Sequence, residues 1–448
     1  MYRYIHDCQR YAAHHNLITS RVISVLIIIL LLIATAPAVI FASAPTELST
    51  LSSRNYATEA RPTLYLDCQR CDYNHIREEI TFVNYVRDQE QSDIHLFITA
   101  QSTGDGGTEY ELSFIGRNGF AEMNYTFAHT TGRDMTWSEI RDSLNDAIRM
   151  GLAPFMMRTP LGDRFALSYD EFDDDEWEQL NDTHDPWNNW VFQVYAGRMQ
   201  LRMESNRRDF SSRWGFFADR VTHDWKLRFR PYFNYDFEEL DQSDGETVSS
   251  HRHRHGIDSY VIKSLTDHWS AGFFADYQTR FDRNLKHDLQ ISPGIEYSLF
   301  PYQQATRRAI IFRYNLGYNH RDYYDMTIYE KENENLVRQR LLARARYQQP
   351  WGSIFAGITG SHYFHDTTLR RLQTFTRFSL RLAEGLNLSL QTDYDIIQDQ
   401  LALRAGDLDL EDILLARQEL ATDYSFRVMV AISYSFGSDF ANIVNTRF

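Results

Sequence analysis

Strict alternation of apolar and polar residues marks the segment Tyr424–Phe436 near the end of the chain. Every second residue is apolar, with aromatic residues at both ends, and the intervening residues are small or polar apart from Met429. Side chains of a strand point alternately to its two faces, so the pattern predicts one apolar and one polar face. The segment is also longer than the usual strand of about 5–6 residues and long enough for a tilted membrane crossing of about 9–11. It therefore predicts a strand with lipid on one side and a polar interior on the other.

The same alternation recurs through the C-terminal half of the chain. It predicts twelve strands, at about residues 190–204, 209–221, 225–238, 249–264, 269–281, 286–299, 307–321, 336–348, 352–364, 370–382, 386–398 and 418–436. The connections are mostly tight at one end and long and charged at the other, which is typical of a transmembrane barrel with an even number of strands. A soluble β-sandwich is the alternative, because half-buried sheets also alternate.

Residues 190–448 resemble the outer-membrane β-barrel proteins of Gram-negative bacteria as a class. The resemblance includes the terminal Phe448, which is similar to the aromatic C-terminus that these proteins present to the barrel assembly machinery. It implies a barrel at 190–436 in contact with outer-membrane lipid, and a tail at 437–448. Because the tail separates the last predicted strand from Phe448, the assembly signal is either Phe448 or the end of that strand. The aromatic residues expected to face the membrane are Trp225, Phe229, Tyr424, Phe426, Tyr434 and Phe436.

An apolar stretch near the start of the chain predicts export. Residues 22–41 are almost unbroken apolar sequence, preceded by Arg21 and followed by Ala42-Ser43-Ala44. This arrangement predicts a signal peptide at residues 1–44, cleaved after Ala42 or Ala44. A membrane-spanning anchor is the alternative.

Residues 62–169 mix helical and strand patterns and predict a small α/β domain. The predicted elements are a strand at Thr63–Leu66, a helix at Tyr73–Val86, a hairpin of Ile94–Ala100 and Glu109–Ile115, a strand at Ala121–Phe127, a helix from the capping box Thr136–Glu139 to Gly151, and a strand at Phe165–Tyr169. Their order is similar to that of the small periplasmic domains of the Tol-system propeller protein and of the curli secretion pore. The similarity implies a periplasmic location and a periplasmic protein partner. The predicted fold class is thus an α+β N-terminal domain followed by an all-β transmembrane antiparallel barrel of about twelve strands.

An acidic segment separates the two predicted domains. Residues 170–187 carry nine acidic residues and no Lys or Arg. Self-repulsion keeps such a segment extended, so we interpret it as a linker. A calcium loop is the alternative, although the central Gly and closing Glu of an EF-hand are missing.

Composition supports the barrel and argues against nucleic acid as a partner. Aromatic residues make up 14% of the chain, which suits the aromatic girdles of a barrel. The mean hydropathy is −0.48, which a barrel tolerates because alternate residues avoid lipid. The formal net charge of −15 would repel nucleic acid.

Arginines dominate one side of the predicted barrel interior. Seven of them point inward from the eighth and tenth predicted strands: Arg338, Arg340, Arg344, Arg346, Arg371, Arg377 and Arg381. Five acids point inward from other strands: Asp276, Asp288, Glu296, Asp393 and Asp395. Clustered guanidinium groups attract carboxylates and phosphates, and the ladder resembles that of twelve-stranded porins for acidic oligosaccharides. We therefore predict a channel for small anionic solutes, or alternatively a non-conducting scaffold whose inward charges pair and whose periplasmic domain carries the function.

One short string is compatible with an enzyme. His268-Trp269-Ser270 matches the His-x-Ser pair of outer-membrane phospholipase A, with Asn284 as the available third member. The string falls at the periplasmic turn, away from the position that this family uses, so no catalytic residue is predicted.

Two further groups of residues raise the question of metal or redox chemistry. Cys68 and Cys71 follow a predicted strand, and they form a structural disulfide, a redox pair, or a metal site together with His75. Three histidines alternate along the fourth predicted strand: His251, His253 and His255. Neighbours on one strand face are about 7 Å apart, too far to bind one ion without a bulge. We therefore predict no metal and no cofactor.

Overall fold

A small α/β region precedes a large antiparallel sheet of 13 strands. The computed structural model describes residues 61–68, 70–103, 106–165, 185–197, 199–241, 247–406, 421–438, 440–445 and 447. The predicted signal peptide, most of the predicted linker and Phe448 lie outside these residues.

The small domain, residues 61–165, contains a five-stranded sheet and two helices. Its elements in chain order are β1 (Thr63–Cys68), α1 (Tyr73–Glu79), β2 (Asn84–Tyr85), β3 (Ile94–Ser102), β4 (Thr108–Gly116), β5 (Asn124–Thr131) and α2 (Trp137–Met156). The strand order is β2-β1-β3-β4-β5, with β1 parallel to both of its neighbours and the other pairs antiparallel. Apolar residues of one sheet face and of both helices form the core, and Leu64, Leu112 and Ile148 are fully buried.

Helix α2 begins where its sequence predicts and ends later. Thr136 and Glu139 form the expected capping box. The predicted end at Gly151 is wrong, because the helix continues to Met156. Gly151 instead allows close packing, since a Cβ there would lie 2.1 Å from Cζ of Phe114. The glycine serves a helix–sheet contact and not a cap.

Three other boundaries in this domain differ from prediction. Helix α1 ends at Glu79 instead of Val86, because the β-branched and aromatic run 80–83 leaves the helix and leads into β2. Strand β5 begins at Asn124, after a 3-10 turn at Asn118–Phe120. The predicted last strand at Phe165–Tyr169 falls mostly outside the described residues, and a 3-10 turn at Gly162–Arg164 precedes it.

The large sheet follows the predicted strands closely. Its strands are β6 (Trp190–Ala196), β7 (Gln200–Met203), β8 (Arg207–Val221), β9 (Trp225–Asp241), β10 (Thr247–Ser264), β11 (Trp269–Arg280), β12 (Leu285–Ser298), β13 (Arg308–Tyr323), β14 (Asn333–Gln349), β15 (Gly352–Tyr363), β16 (Arg370–Ala383), β17 (Leu386–Ile397) and β18 (Tyr424–Tyr434). Each strand from β8 to β18 pairs antiparallel with the next. The first predicted strand is two strands, β6 and β7, which both pair with β8. Gly197 separates them with a left-handed backbone at φ +73°.

The sheet ends at β6 and β18. Among the described residues these two strands do not pair with each other, so the predicted closure into a barrel is not observed. Both strands expose large apolar side chains, and Val194 of β6 is 76% and Ile432 of β18 is 69% exposed.

The two faces of the large sheet differ in polarity. On β13 the alternate residues Phe312 and Leu316 are 46% and 43% exposed. Asn315 and Asn319 point to the other face and are 9% and 0% exposed. On β13 the apolar side chains are thus the exposed ones and the polar side chains the buried ones, the reverse of a soluble protein.

Connections at the two ends of the sheet also differ. At one end, which we name the short-turn end, the strands from β8 onward are joined by residues 222–224, 265–268, 299–307, 350–351 and 384–385. The longest connection, 398–423, lies at the opposite end, together with 324–332, which is equal in length to 299–307. No helix in the described part of the chain is both long and apolar enough to cross a membrane.

Candidate functional site

Strand register places the seven predicted arginines on one face of the large sheet, which we name the inner face. Residues directly opposite each other on neighbouring strands share a face. Arg340 of β14 lies opposite Ser361 of β15, which lies opposite Arg371 of β16. The other five arginines are each an even number of residues from Arg340 or Arg371 on the same strand, so they lie on the same face.

The five predicted acids lie on this face too. Asp393 and Asp395 of β17 lie opposite inner-face residues of β16, and successive registers from β14 to β11 place the others there. Three ion pairs hold acids of this set: Asp288 with Arg321 at 3.2 Å, Glu296 with Arg313 at 2.6 Å, and Asp393 with Arg377 at 3.0 Å. Part of the predicted charge is therefore neutralised by direct neighbours.

Strands β8–β10 carry a further set of ion pairs, which we name the paired wall. Asp236 of β9 contacts Arg213 of β8 at 2.8 Å and Arg254 of β10 at 3.0 Å. Asp219 of β8 accepts a hydrogen bond from Nε of Arg230 at 3.1 Å. These ion pairs were not predicted, although arginines and acids that share one face of the third predicted strand are their signal in the sequence. Each carboxylate here has a guanidinium partner one strand away.

The arginines of β14 (Arg338, Arg340, Arg344 and Arg346, hereafter the β14 arginines) are arranged differently. Within the described part of the chain, no carboxylate oxygen lies within 4.0 Å of their guanidinium nitrogens. Arg338 donates to Oε1 of Gln290 at 2.8 Å and lies 5.9 Å from the centre of the Tyr363 ring. Arg344 lies 5.8 Å from the Phe355 ring and 5.9 Å from the Phe375 ring. Amide and aromatic groups thus orient Arg338 and Arg344 without neutralising them.

A cavity of about 270 Å³ opens beside Arg338 and Arg340. Residues 399–403, from the long connection after β17, form one of its sides. Leu401 from this connection is 4% exposed and packs against Leu336 and Tyr363. The charged residues that line the cavity are five arginines and two aspartates, Arg283, Arg321, Arg338, Arg340, Arg371, Asp288 and Asp399, a formal excess of three positive charges. Both aspartates already contact an arginine, Asp399 contacting Arg371 at 2.7 Å. The cavity suits an anion by charge.

The small domain contacts the short-turn end of the large sheet. Arg307 forms an ion pair with Glu111 of β4 and donates to Oγ1 of Thr126 at 3.2 Å. Arg381, the last member of the predicted ladder, donates to the Tyr65 hydroxyl and lies 4.9 Å from its ring centre. Two more hydrogen bonds involve the connection after β16: Gly385 N to Asp88 Oδ2 at 3.2 Å, and Gln91 Nε2 to Glu384 Oε1 at 2.8 Å. Arg381 therefore takes part in the contact between the small domain and the large sheet.

The residues of the weak enzyme match do not assemble. His268 Nδ1 contacts the Ser298 carbonyl at 2.7 Å, while Ser270 Oγ contacts the Tyr302 hydroxyl at 3.1 Å. Asn284 lies at the opposite end of the sheet, where it donates to the Asp325 carbonyl.

Of the residues considered for metal or redox chemistry, the cysteines form a disulfide and two of the histidines on β10 form hydrogen bonds within the protein. Cys68 and Cys71 are joined in a disulfide between β1 and α1. His251 contacts the Tyr235 hydroxyl at 3.0 Å, and His255 contacts Thr279. In the described residues no group of three or more His, Cys, Asp or Glu side chains could hold a metal ion.

The six aromatic residues expected to face the membrane are all exposed, from 37% for Trp225 to 81% for Phe436. Trp225 and Phe229 lie on the face of β9 opposite the inner face. That lipid covers this face stays a prediction.

No family model and no curated protein matches the chain. Among solved structures, one described as a NanC porin in a rhombohedral crystal form is similar with 9% identity and a TM-score of 0.25, covering 55% of this chain and 100% of that chain. Another, described as a bacterial polysaccharide outer membrane secretin, is similar with 11% identity and a TM-score of 0.26, covering 55% of this chain and 90% of that chain. Because both TM-scores are low, neither similarity carries an argument about this chain.

Proposed function

We propose that the large sheet closes into a barrel in the outer membrane of a Gram-negative bacterium and passes small anionic solutes along the β14 arginines. The observation that carries the proposal is that, within the described residues, no carboxylate oxygen lies within 4.0 Å of these four guanidinium groups, while acids and arginines of nearby strands form ion pairs. Arg338, Arg340 and Arg346 are half-buried. Partial removal of a guanidinium group from water without a counter-charge is costly, and a passing anion would offset that cost. The solute is thus the missing partner of the β14 arginines.

The outer face supports a membrane location. On this face, which is opposite the inner face, large apolar side chains are exposed on every strand from β9 to β16 and on β18, as soluble monomers rarely present to water. Hydrocarbon would cover this surface, and pairing of β6 with β18 would satisfy the two open edges. The assembly machinery would read the aromatic end of the chain, either Phe448 or the end of β18.

The small domain would lie in the periplasm and regulate entry. Its polar contacts with Arg307, Arg381 and the connection after β16, all at the short-turn end, support this role. Passage then depends on a shift of the domain or on space left beside it.

Planar-bilayer recording tests the proposal. We expect anion-selective current from the full chain. In a salt gradient, Arg340→Ala or Arg344→Ala should move the reversal potential toward zero, which means weaker anion selectivity, because each change removes one positive charge from the inner face. Arg370→Ala is the matched control, since Arg370 lies on the opposite face of β16 and donates to Gln398. Equal effects of the three substitutions would contradict a role for the inner face.

A non-conducting scaffold is the second candidate, and the contacts of the small domain with the short-turn end favour it. Its expected result is silence in the same recording from protein that is demonstrably inserted in the bilayer. Insertion is checked by the resistance of strands β8–β18 to added protease.

A further inference from the structure

The two edges of the five-stranded sheet in the small domain differ in whether another segment of the chain covers them. At the β2 edge, the C-terminal tail lies alongside as an added segment. Ala441 N donates to the Tyr85 carbonyl at 2.9 Å, and Phe440 forms a bridge with Val86. Asn442 Oδ1 accepts from Tyr85 N at 2.5 Å. This edge is therefore covered by an extended segment of the same chain.

The opposite edge, strand β5, is open. Among the residues that the structure describes, β5 pairs with β4 and with no other strand. Its eight residues, Asn-Tyr-Thr-Phe-Ala-His-Thr-Thr, contain no charged residue and no proline. Charges, prolines or bulges normally keep edge strands from pairing with other chains, because the free N–H and C=O groups of an edge can form hydrogen bonds with another strand. Strand β5 lacks the first two protections along its whole length.

A groove of about 570 Å³ runs between this edge and helix α2. Strand β5 contributes Phe127, Ala128 and His129, and the central part of α2 contributes the other side. His129 Nε2 contacts Ser143 Oγ at 2.8 Å, which fixes the distance between strand and helix. Met150 of α2 is 71% exposed at the end of the groove and offers an apolar contact.

The groove is acidic. Glu139, Asp142 and Asp146 line it, and no Lys or Arg does. Asp142 contacts His75 at 2.7 Å and Asp146 contacts Arg149 at 2.9 Å, yet their side chains are 56% and 73% exposed. Both carboxylates therefore retain oxygens that a ligand can reach.

We propose that β5 and α2 form a binding groove for an extended basic segment of another protein, which adds to β5 as a further strand. Backbone hydrogen bonds would supply affinity, as in other cases of strand addition. Alternate Lys or Arg side chains of the segment would face Glu139, Asp142 and Asp146, while the intervening side chains face away. The inference goes beyond solute passage, and it holds whether or not the barrel conducts.

Fluorescence anisotropy on the full chain in detergent tests the groove. The probe is a labelled peptide, Lys-Thr-Lys-Val-Lys-Thr-Lys-Val, and its control has the same charge with both Val replaced by Pro, which cannot continue a ladder. We expect saturable binding of the first peptide and loss of binding for the second. Asp146→Lys should weaken binding about tenfold by reversing a charge in the groove. Glu78→Lys, an exposed charge reversal on α1, should leave binding unchanged.

Three outcomes would overturn the proposal. Equal binding of the two peptides, or equal weakening by Asp146→Lys and Glu78→Lys, means nonspecific attraction to an acidic protein. Absence of binding means that the edge takes no basic segment. Concentration-dependent self-association in analytical ultracentrifugation that excludes the peptide means that a second copy of this chain occupies β5.

Discussion

The small domain and the large sheet cover opposite kinds of residues. In the small domain, Leu64, Leu112 and Ile148 are fully buried. In the large sheet, the inner-face residues Asn319 and Asp288 are 0% and 5% exposed, whereas apolar side chains of the outer face remain largely exposed. One part of the chain follows the rule for water-soluble proteins, and the other reverses it.

The contrast indicates that the two regions are stabilised in different ways. Apolar burial stabilises the small domain because its side chains leave water. The apolar side chains of the outer face are largely exposed and gain nothing comparable from their own chain, so under the proposed function the stability of this face would depend on lipid. Strand hydrogen bonds and inner-face ion pairs then supply the internal order of the sheet.

Removal of a buried ring from the small domain should give the largest effect. Phe155 is fully buried among Phe114, Phe120 and Tyr125, so Phe155→Ala should destabilise this domain by about 3–5 kcal/mol. Phe312→Ala, on the outer face of the large sheet, should leave the small domain unchanged. Hydrogen exchange of β3 and α2 in the full-length protein measures both. Equal loss of protection in the two variants would mean that the two regions share one cooperative core.

A charge placed in the centre of the outer face tests whether lipid covers that face. Leu341 lies at the midpoint of β14 and is 59% exposed. In lipid, Leu341→Arg should cost about 2–4 kcal/mol, whereas in water it should cost almost nothing. Equilibrium unfolding of the protein in lipid vesicles, followed by tryptophan fluorescence, measures the difference. Met150→Arg, on the exposed surface of the small domain, is the matched control and should have little effect.

Local pattern predicted the strands from β8 to β18 and the shared face of the inner-face arginines, although the first predicted strand is the two strands β6 and β7. The period of two in the sequence places Arg340 and Arg371 on one face, and strand register brings them into the same row. Helix α2 was predicted from its capping box, but its end was not, because the role of Gly151 depends on Phe114, 37 positions earlier in the numbering.

Contacts between distant segments could not be predicted from the pattern. The pairing of Asp236 with Arg213 and Arg254 depends on the register of three strands and on side-chain reach. The ion pair between Arg307 and Glu111 joins two domains whose sequences carry no shared signal. The sequence therefore predicts which charges point inward, but not which of them are neutralised.

The smallest expected effect concerns pH and the contact between the two regions. His95 of β3 lies opposite Tyr65 on the sheet face that meets the short-turn end, and it is fully buried. Burial lowers its pKa below the ordinary value of 6.5, although Asp67, 3.4 Å away, acts in the other direction; Arg117 and Arg381 also lower the pKa. The folded protein therefore keeps His95 neutral at a pH where the unfolded chain takes up a proton, so stability should fall as pH drops below about 6.5.

Thermal unfolding at pH 7.5 and 5.5 should show a smaller difference in unfolding temperature for His95→Gln than for the original protein. His223→Gln, which changes a histidine with a side chain 87% exposed, should retain the full difference. Retention of the full difference by His95→Gln as well would place the pH sensitivity on other groups.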